Sequence, residues 1–327
     1  MSRSLEVHVE AANCTRCGAC AALCPAVFDV DERVSRVLRQ PTPSERVLVD
    51  AARFICPTDA IRVARGDDDT SAAVDSPRAP LFHDLARGAE RVRWSLDDVR
   101  LDEVDAAKAP PELRAVVREM AFSENATYSA TQRFLDSFFD DVDFSQWVSV
   151  WFYEETRHPH VLVEWLRRVG EPVAADFVVK GRVSTPFMRS TAGTLVTNVI
   201  SEVTAAQAYR HLARTSPEPV LSRIARFISG DEARHAASFF RFASRALGER
   251  RDRARGLEVL QAWLGGASPT THPVAQMIER LDGSLELDFK AVRTRVVRMI
   301  GLLLDVPLRR EEDVAPMLKD LLRGGSG

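Results

Sequence analysis

Two sets of residues in this chain have the types and the spacing to do chemistry. The first is a set of thiols. All five cysteines lie before residue 57: Cys14, Cys17 and Cys20 at steps of three, then Cys24-Pro25, and Cys56-Pro57 further on. Soft thiolates at this spacing wrap an iron–sulfur cubane on a tight loop. Two cubanes would need about eight thiolates, so five cysteines describe one 4Fe–4S cluster. A zinc site would favour separated Cys-x-x-Cys pairs or a Cys/His mixture. A disulfide framework would favour an even count spread along the chain.

The second set pairs carboxylates with imidazoles. Glu155-Thr156-Arg157-His158 and Glu232-Ala233-Arg234-His235 each place a histidine three residues after a glutamate. On a helix those positions share a face, so each pair can present both groups to one point. Glu124 lies 31 residues before Glu155, and Glu202 lies 30 before Glu232. At about 1.5 Å rise per residue, an antiparallel helix pair returns to the same depth after about 30 residues. The pattern Glu … Glu-x-x-His therefore occurs twice, level with itself. Four carboxylates and two imidazoles suit a pair of hard-to-intermediate metal ions. They are the ligand set of ferritin-like di-iron bundles. Phe122, Trp151, Phe152, Val199, Ile200, Phe227 and Ile228 adjoin the acids at helical spacing. Ionised acids among such neighbours are costly unless paired or metal-bound. Interhelical salt bridges with Arg157 and Arg234 are the alternative, but they explain neither the repeat nor the doubled Arg-His. Glu119 rivals Glu124 but breaks the spacing symmetry.

The elements that must position these groups fall into two textures. Leu5 to Val9 alternates like a strand, Ala60 to Val63 closes as another, and Ser44 to Phe54 reads as a helix with Ser44 as its cap. Residues 66–80 are polar and contain proline, which marks a boundary. Beyond about residue 105 apolar residues recur at three- and four-residue steps. They predict helices near 110–139, 144–169, 172–180, 187–215, 217–246, 255–264, 272–281 and 286–304. The expected organisation is multidomain: a small α+β ferredoxin-like domain over 1–65, a linker over 66–104, an all-α ferritin-like bundle over 105–310, and a C-terminal tail over 311–327. The last residues, Gly324-Gly325-Ser326-Gly327, read as flexible.

Composition narrows the function classes. A chain of 327 residues with 45% apolar content can bury a full core. Its net charge of −3 gives no basic excess for coating nucleic acid. No apolar run is long enough to span a membrane, and the first residues lack a secretory signal, so the expected location is cytoplasmic. No Gly-x-Gly-x-x-Gly follows a strand, so no nucleotide cofactor of its own is expected.

Residues 1–65 resemble the single-cluster bacterial ferredoxins. The resemblance implies Cys14, Cys17, Cys20 and Cys56 as the cluster ligands and leaves Cys24 a buried free thiol. Trp151-Phe152-Tyr153-Glu154-Glu155-Thr156-Arg157-His158 and Asp231-Glu232-Ala233-Arg234-His235 resemble the paired signatures of the soluble acyl-carrier-protein desaturases. This second resemblance covers about residues 105–310. It implies Glu124, Glu155, His158, Glu202, Glu232 and His235 as metal ligands, with Glu155 and Glu232 bridging. It also implies that Asp231 orients a histidine of the other half, His158, with Trp151 in the same network. A related branch, the N-oxygenases of aryl amines, carries a third histidine seven residues before the last; Ile228 stands there.

Together the halves describe an O2-dependent di-iron oxidase that receives electrons through its own ferredoxin. Iron is the expected metal, since zinc has no use for electrons, and a manganese–iron pair fits the same ligands. O2 is the co-substrate. An external NAD(P)H-dependent reductase must recharge the cluster, and a homodimer through an apolar bundle face is compatible with the pattern. Three alternatives stay open: a carrier-bound acyl desaturase, an oxygenase of a free small molecule in specialised metabolism, and a ferritin-like iron handler or redox sensor. Arg245, Arg250, Arg251, Arg253 and Arg255 form a basic cluster that could dock an acidic carrier, or simply a solvated face. Ser184 to Thr194 could line a pocket mouth.

Overall fold

The computed structural model describes residues 5–64, 80–182, 190–265 and 287–323. The linker residues 66–79, the helix expected over 272–281, residues 184–189 of the expected pocket mouth and the tail 324–327 lie outside the described residues.

The N-terminal part is a small α+β unit. Strand β1 (Glu6–Val9) pairs antiparallel with β4 (Ile61–Ala64), Val7 opposite Val63. Strand β2 (Phe28–Val30) pairs with β3 (Ser35–Val37). Helix α1 (Ala19–Leu23) starts directly after Gly18, whose φ of 80° lies in the left-handed region that glycine adopts freely. Helix α2 (Arg46–Ile55) follows a short 3₁₀ turn over Pro43–Glu45. The cap of that turn is Thr42, not Ser44: the Glu45 carboxylate reaches back to accept from the Thr42 N–H at 2.9 Å, which satisfies a donor that Ser44 could not.

Part of the expected linker is folded. Helix α3 is Phe82–Val92 and the short α4 is Leu96–Val99. The Asp143 carboxylate accepts from the N–H groups of Leu81 and Phe82, both at 2.8 Å. Leu81, Leu85 and Ala89, at four-residue steps, are buried, so this short amphipathic stretch packs rather than hangs in solvent.

The rest is helical. The elements are α5 (Pro111–Glu124), α6 (Thr127–Ser137), α7 (Val142–Arg168), α8 (Phe177–Gly181), α9 (Thr191–Thr215), α10 (Pro219–Ala246), α11 (Arg250–Leu264), α12 (Phe289–Leu303) and α13 (Val314–Arg323). Helix α13 lies within the segment expected as a tail and packs on α11. The single helix expected over 110–139 is broken at Asn125. The Asn125 side chain donates to the Ala121 carbonyl at 2.8 Å, competing with the backbone ladder. Gly181 of α8 presses against Phe122 and Asn125 so closely that an added Cβ would lie 2.7 Å from both.

Helices α5, α7, α9 and α10 surround the centre of the molecule. Helix α7 has 27 residues, about 40 Å of helix, and Pro159 sits inside it directly after His158. Helix α9 is buried on nearly every side from Ala192 to Tyr209. Two apolar clusters flank this centre. One includes Trp94, Val116, Leu162, Trp165, Leu212 and Ile224. The other joins Phe134, Phe144, Trp147, Trp151 and Phe239 of the bundle to Leu23, Phe28, Val47 and Ile55 of the N-terminal unit. Among the described residues, no helix is long and apolar enough to cross a membrane.

Candidate metal centres

The β1–α1 loop, the first turn of α1 and the turn after α2 bring four thiols to one small cavity. Cys14, Cys17, Cys20 and Cys56 line it with Val9, Ser35, Ala60 and Ile61. Three backbone N–H groups point at its sulfurs: Arg16 and Ser35 at Cys14 Sγ (3.4 and 3.3 Å), and Ala60 at Cys56 Sγ (3.2 Å). Burial pushes the Cys17 thiol up to about 12, with the neighbouring Cys56 thiolate adding to it, and Cys20 higher still. Thiols crowded this way favour a metal cluster that takes their negative charge. Cys24 lies outside the cavity lining. It is a buried free thiol, raised by burial to about 11.

The carboxylates and imidazoles expected from the repeat meet in the bundle. Glu124 (α5), Glu155 and His158 (α7) and Glu232 (α10) form one group, and Glu155, Glu202 (α9), Glu232 and His235 form the other. Within each group the donor atoms lie within 4.8 Å of one another. Glu155 and Glu232 belong to both, the arrangement a bridging pair would have. His158 Nδ1 stands 3.6 Å from Glu124 Oε2 and 3.4 Å from Glu232 Oε1. His235 Nδ1 stands 2.9 Å from Glu155 Oε1, 3.6 Å from Glu232 Oε2 and 3.7 Å from Glu202 Oε2. Among the described residues Glu119 is in neither group.

The donor set fits two metal ions. Both histidines are essentially inaccessible to solvent, yet His158 Nδ1, His235 Nδ1 and Glu155 Oε1 make no hydrogen bond. Buried polar atoms left unpartnered and aimed at the same point call for a ligand. The outer nitrogens are engaged. His158 Nε2 donates to Asp231 at 3.2 Å, and His235 Nε2 donates to Glu154 at 3.0 Å. Each imidazole is thus oriented by an acid of the opposite helix, which fixes the tautomer that leaves Nδ1 free for metal.

Three further hydrogen bonds hold the carboxylates. Thr127 Oγ1 donates to Glu155 at 2.9 Å, Trp151 Nε1 to Glu202 at 3.1 Å, and the buried Tyr209 hydroxyl to Glu124. Trp151 therefore serves Glu202 and not the Asp231 network expected for it. The indole beside Asp231 is Trp94, whose Nε1 donates to Oδ2 at 2.7 Å. Trp94 is stacked under the Arg157 guanidinium, 4.0 Å from the ring centre. Glu154, Trp94, Thr127 and Tyr209 are the residues bonded to these groups that sequence reasoning missed. Glu154 had a signal, since an acid immediately precedes the glutamate in both Glu-x-x-His motifs.

Protonation follows from this crowding. Burial pushes the Glu124 carboxyl up to about 7, with the Glu232 charge adding to the rise and the nearby His158 imidazole opposing it. Burial also raises Glu202 well above its ordinary range, with the negative charge of Glu232 adding to it. Glu232 goes the other way: burial opposes its charge, but the Glu202 carboxyl and the two imidazoles beside it hold it well below the usual carboxylate range. Burial likewise opposes protonation of the two histidines, yet Asp231 at His158 and Glu154 at His235 lead the acids that hold both well above their ordinary values. Without metal, the site keeps protons that two divalent ions would displace.

A family model described as "4Fe-4S single cluster domain of Ferredoxin I" matches residues 9–63. A second, described as "Fatty acid desaturase", matches residues 113–265. No curated protein and no solved structure matches the chain. The two matched segments hold the thiol cavity and the carboxylate–imidazole groups respectively. The chain therefore joins a single-cluster 4Fe–4S ferredoxin domain to a desaturase-family domain of the acyl-carrier-protein type.

Proposed function

We propose that this chain is an O2-dependent di-iron oxidase of the desaturase and oxygenase type, oxidising a C–H or N–H bond of an organic substrate with electrons delivered through its own ferredoxin domain. The observation that carries this reading is the pair of overlapping donor groups, with three buried atoms aimed inward and unpartnered. Glu124, Glu155, His158, Glu202, Glu232 and His235 would hold the metals. When bound, a pair of ferrous ions, or a manganese–iron pair, supplies the two electrons that activate O2.

The protein's own part is positional. Asp231 and Glu154 hold the imidazoles in the ligating tautomer. Trp151, Thr127 and Tyr209 fix carboxylate rotamers. The aromatic stack of Phe134, Trp147, Trp151 and Phe239 keeps water from the site on one side; a dry surround protects a reactive oxidant. Cys14, Cys17, Cys20 and Cys56 would hold one 4Fe–4S cluster, which carries one electron at a time. An external reductase must refill it between the two transfers.

The substrate reading is refined by the basic cluster. Arg245 donates to Asp143 (2.7 Å) and Arg250 to the carbonyls of Asp320 and Leu321, both at 2.8 Å. Arg251 pairs with Glu249 (2.8 Å) and Arg255 with Glu258 (2.6 Å). With Arg253 beside Asp305 (3.9 Å), four of the five guanidiniums face a carboxylate of this chain, a poorer dock for an acidic carrier, which favours a free small molecule over a carrier-bound acyl chain. Turnover with acyl-carrier thioesters against free acids, amines and polyketides tests both levels. Loss of two hydrogens identifies a desaturase, and gain of one oxygen identifies an oxygenase. O2 uptake with neither product, together with iron accumulation, would contradict the reading.

A further inference from the structure

Resting on that reading, we infer that the ferredoxin domain is permanently seated on the bundle rather than swinging on its linker, and that electrons cross where Cys17 meets Gly230 of α10. A tethered donor ordinarily has two options, repeated docking or a fixed seat. A domain moves relative to its neighbour unless their interface is large and apolar.

Here the interface is apolar and pinned. Leu23, Val47 and Ile55 of the ferredoxin share one continuous buried cluster with Phe239, Val297 and Ile300 of the bundle. Both cluster-ligand loops are then tied to the bundle by arginine. On one side Arg234 of α10 donates to the Cys17 carbonyl at 3.1 Å, and Arg241 donates to the Ala22 carbonyl at 3.0 Å. On the other, Arg295 of α12 donates to the carbonyls of Phe54 (2.6 Å) and Cys56 (3.2 Å). Asp59, three residues after Cys56, pairs with Arg210 of α9 at 2.7 Å and with Arg295.

The closest approach is at Gly230. A Cβ there would lie 3.1 Å from Cys17 Cβ and 3.8 Å from its Cα. Glycine in a helix interior costs about 1 kcal/mol relative to alanine, so its presence is explained by the seat it leaves for Cys17. The next two residues on α10 are Asp231, which holds His158, and Glu232, which lies in both donor groups. The Arg234 guanidinium that holds Cys17 also donates to Asp231 Oδ1 (2.5 Å) and Glu154 Oε1 (3.0 Å), the two acids behind the imidazoles. The cluster loop is thus three hydrogen bonds from each histidine, through Arg234 and one acid. With both centres loaded, each crossing would take one electron from the cluster held by Cys14, Cys17, Cys20 and Cys56 and pass it to the metals held in the bundle. A low-potential one-electron donor then refills the cluster, and two crossings supply one O2 activation.

The test is single-turnover electron transfer in the full chain loaded with both centres. The cluster is reduced with one equivalent of dithionite, and its reoxidation is followed by absorbance. Electron paramagnetic resonance reads spin coupling between the two centres. A seated donor gives a rate independent of protein concentration and of ionic strength. Gly230→Leu, which favours the helix while pushing against Cys17, should lower the rate per intact cluster several-fold and weaken the coupling. Gly230→Ala should fall between. A wild-type rate that drops steeply with salt, or a Gly230→Leu rate and coupling equal to wild type, overturns the inference. Turnover of the wild-type chain with reduced methyl viologen, which bypasses the cluster, reads the oxidase separately. Fast cluster reoxidation with no product under either donor would sink the oxidase reading and leave the crossing standing. Product with viologen and an unaltered variant would do the reverse.

Discussion

Asp231 and Glu154 occupy equivalent places in the two halves of the site, each accepting from the outer nitrogen of a histidine on the opposite helix. Replacing Asp231 by Asn frees His158 to turn or change tautomer, and should weaken metal binding by about 10–100-fold. Glu154→Gln should do the same through His235. Competitive metal titration checks both, and an unchanged affinity would mean the imidazoles do not need orienting. Titration of the metal-free protein offers a second check. Glu124 titrates near 7, and both histidines are held protonated above their usual range. Loading at pH 7 should therefore release protons, and affinity should rise with pH through the neutral range. Calorimetry in buffers of differing ionisation enthalpy measures the release. At this scale the ligands were legible because a step of three places a carboxylate and an imidazole on one helix face. Glu154 was half-legible, as one of two acids preceding the motif. Trp94 was not, because its contact with Asp231 spans 137 positions and its neighbourhood has a linker's composition.

Among the elements, α10 carries the most: two donors, the acid behind His158, and the seat for Cys17. Its start is fixed by Glu218, fully buried, which accepts from the N–H groups of Val220 and Leu221 (3.3 and 2.7 Å) and from Trp165 Nε1 (2.8 Å). Glu218→Ala removes the cap and leaves a buried indole N–H unpaired, so the bundle should lose about 2 kcal/mol. The denaturant midpoint followed by far-ultraviolet circular dichroism reads this, and a shift within error would show that water replaces the cap. Helices α7 and α10 were legible within two residues because their apolar period is long and their ends carry acids, prolines or turns, whereas α9 starts at Thr191, four residues later than expected. The break at Asn125 was not. Apolar periodicity runs through it, and the interruption comes from one amide side chain and the approach of Gly181.

For the whole molecule, the two-part architecture was written in composition: every cysteine on one side of a polar run, every metal-binding pair on the other. The way the parts meet was not, because it depends on arginines of α10 and α12 reaching carbonyls more than 200 positions away and on Arg210 of α9 reaching the Asp59 carboxylate, 151 positions away. Acid should loosen that meeting. Hydrogen bonds from Arg91 of α3 and Arg36 hold Asp29 of the ferredoxin down at about 2. Arg295 and Arg210 also lower Asp59, against the opposing effect of burial. Carboxylates held below their unfolded values stabilise above about pH 4 and lose that contribution as pH falls towards about 2. Proteolytic cutting between the two parts should accelerate through that window; a rate flat across it would mean these pairs do not hold the seat.

Mössbauer spectroscopy of the fully loaded chain bears most directly on the central claim. About six irons per chain are predicted, four in a cubane and two in a coupled non-sulfur pair. Glu155→Ala with Glu232→Ala should abolish the pair while the cubane spectrum persists. A spectrum containing only the cubane, with four irons before and after those substitutions, would contradict the account.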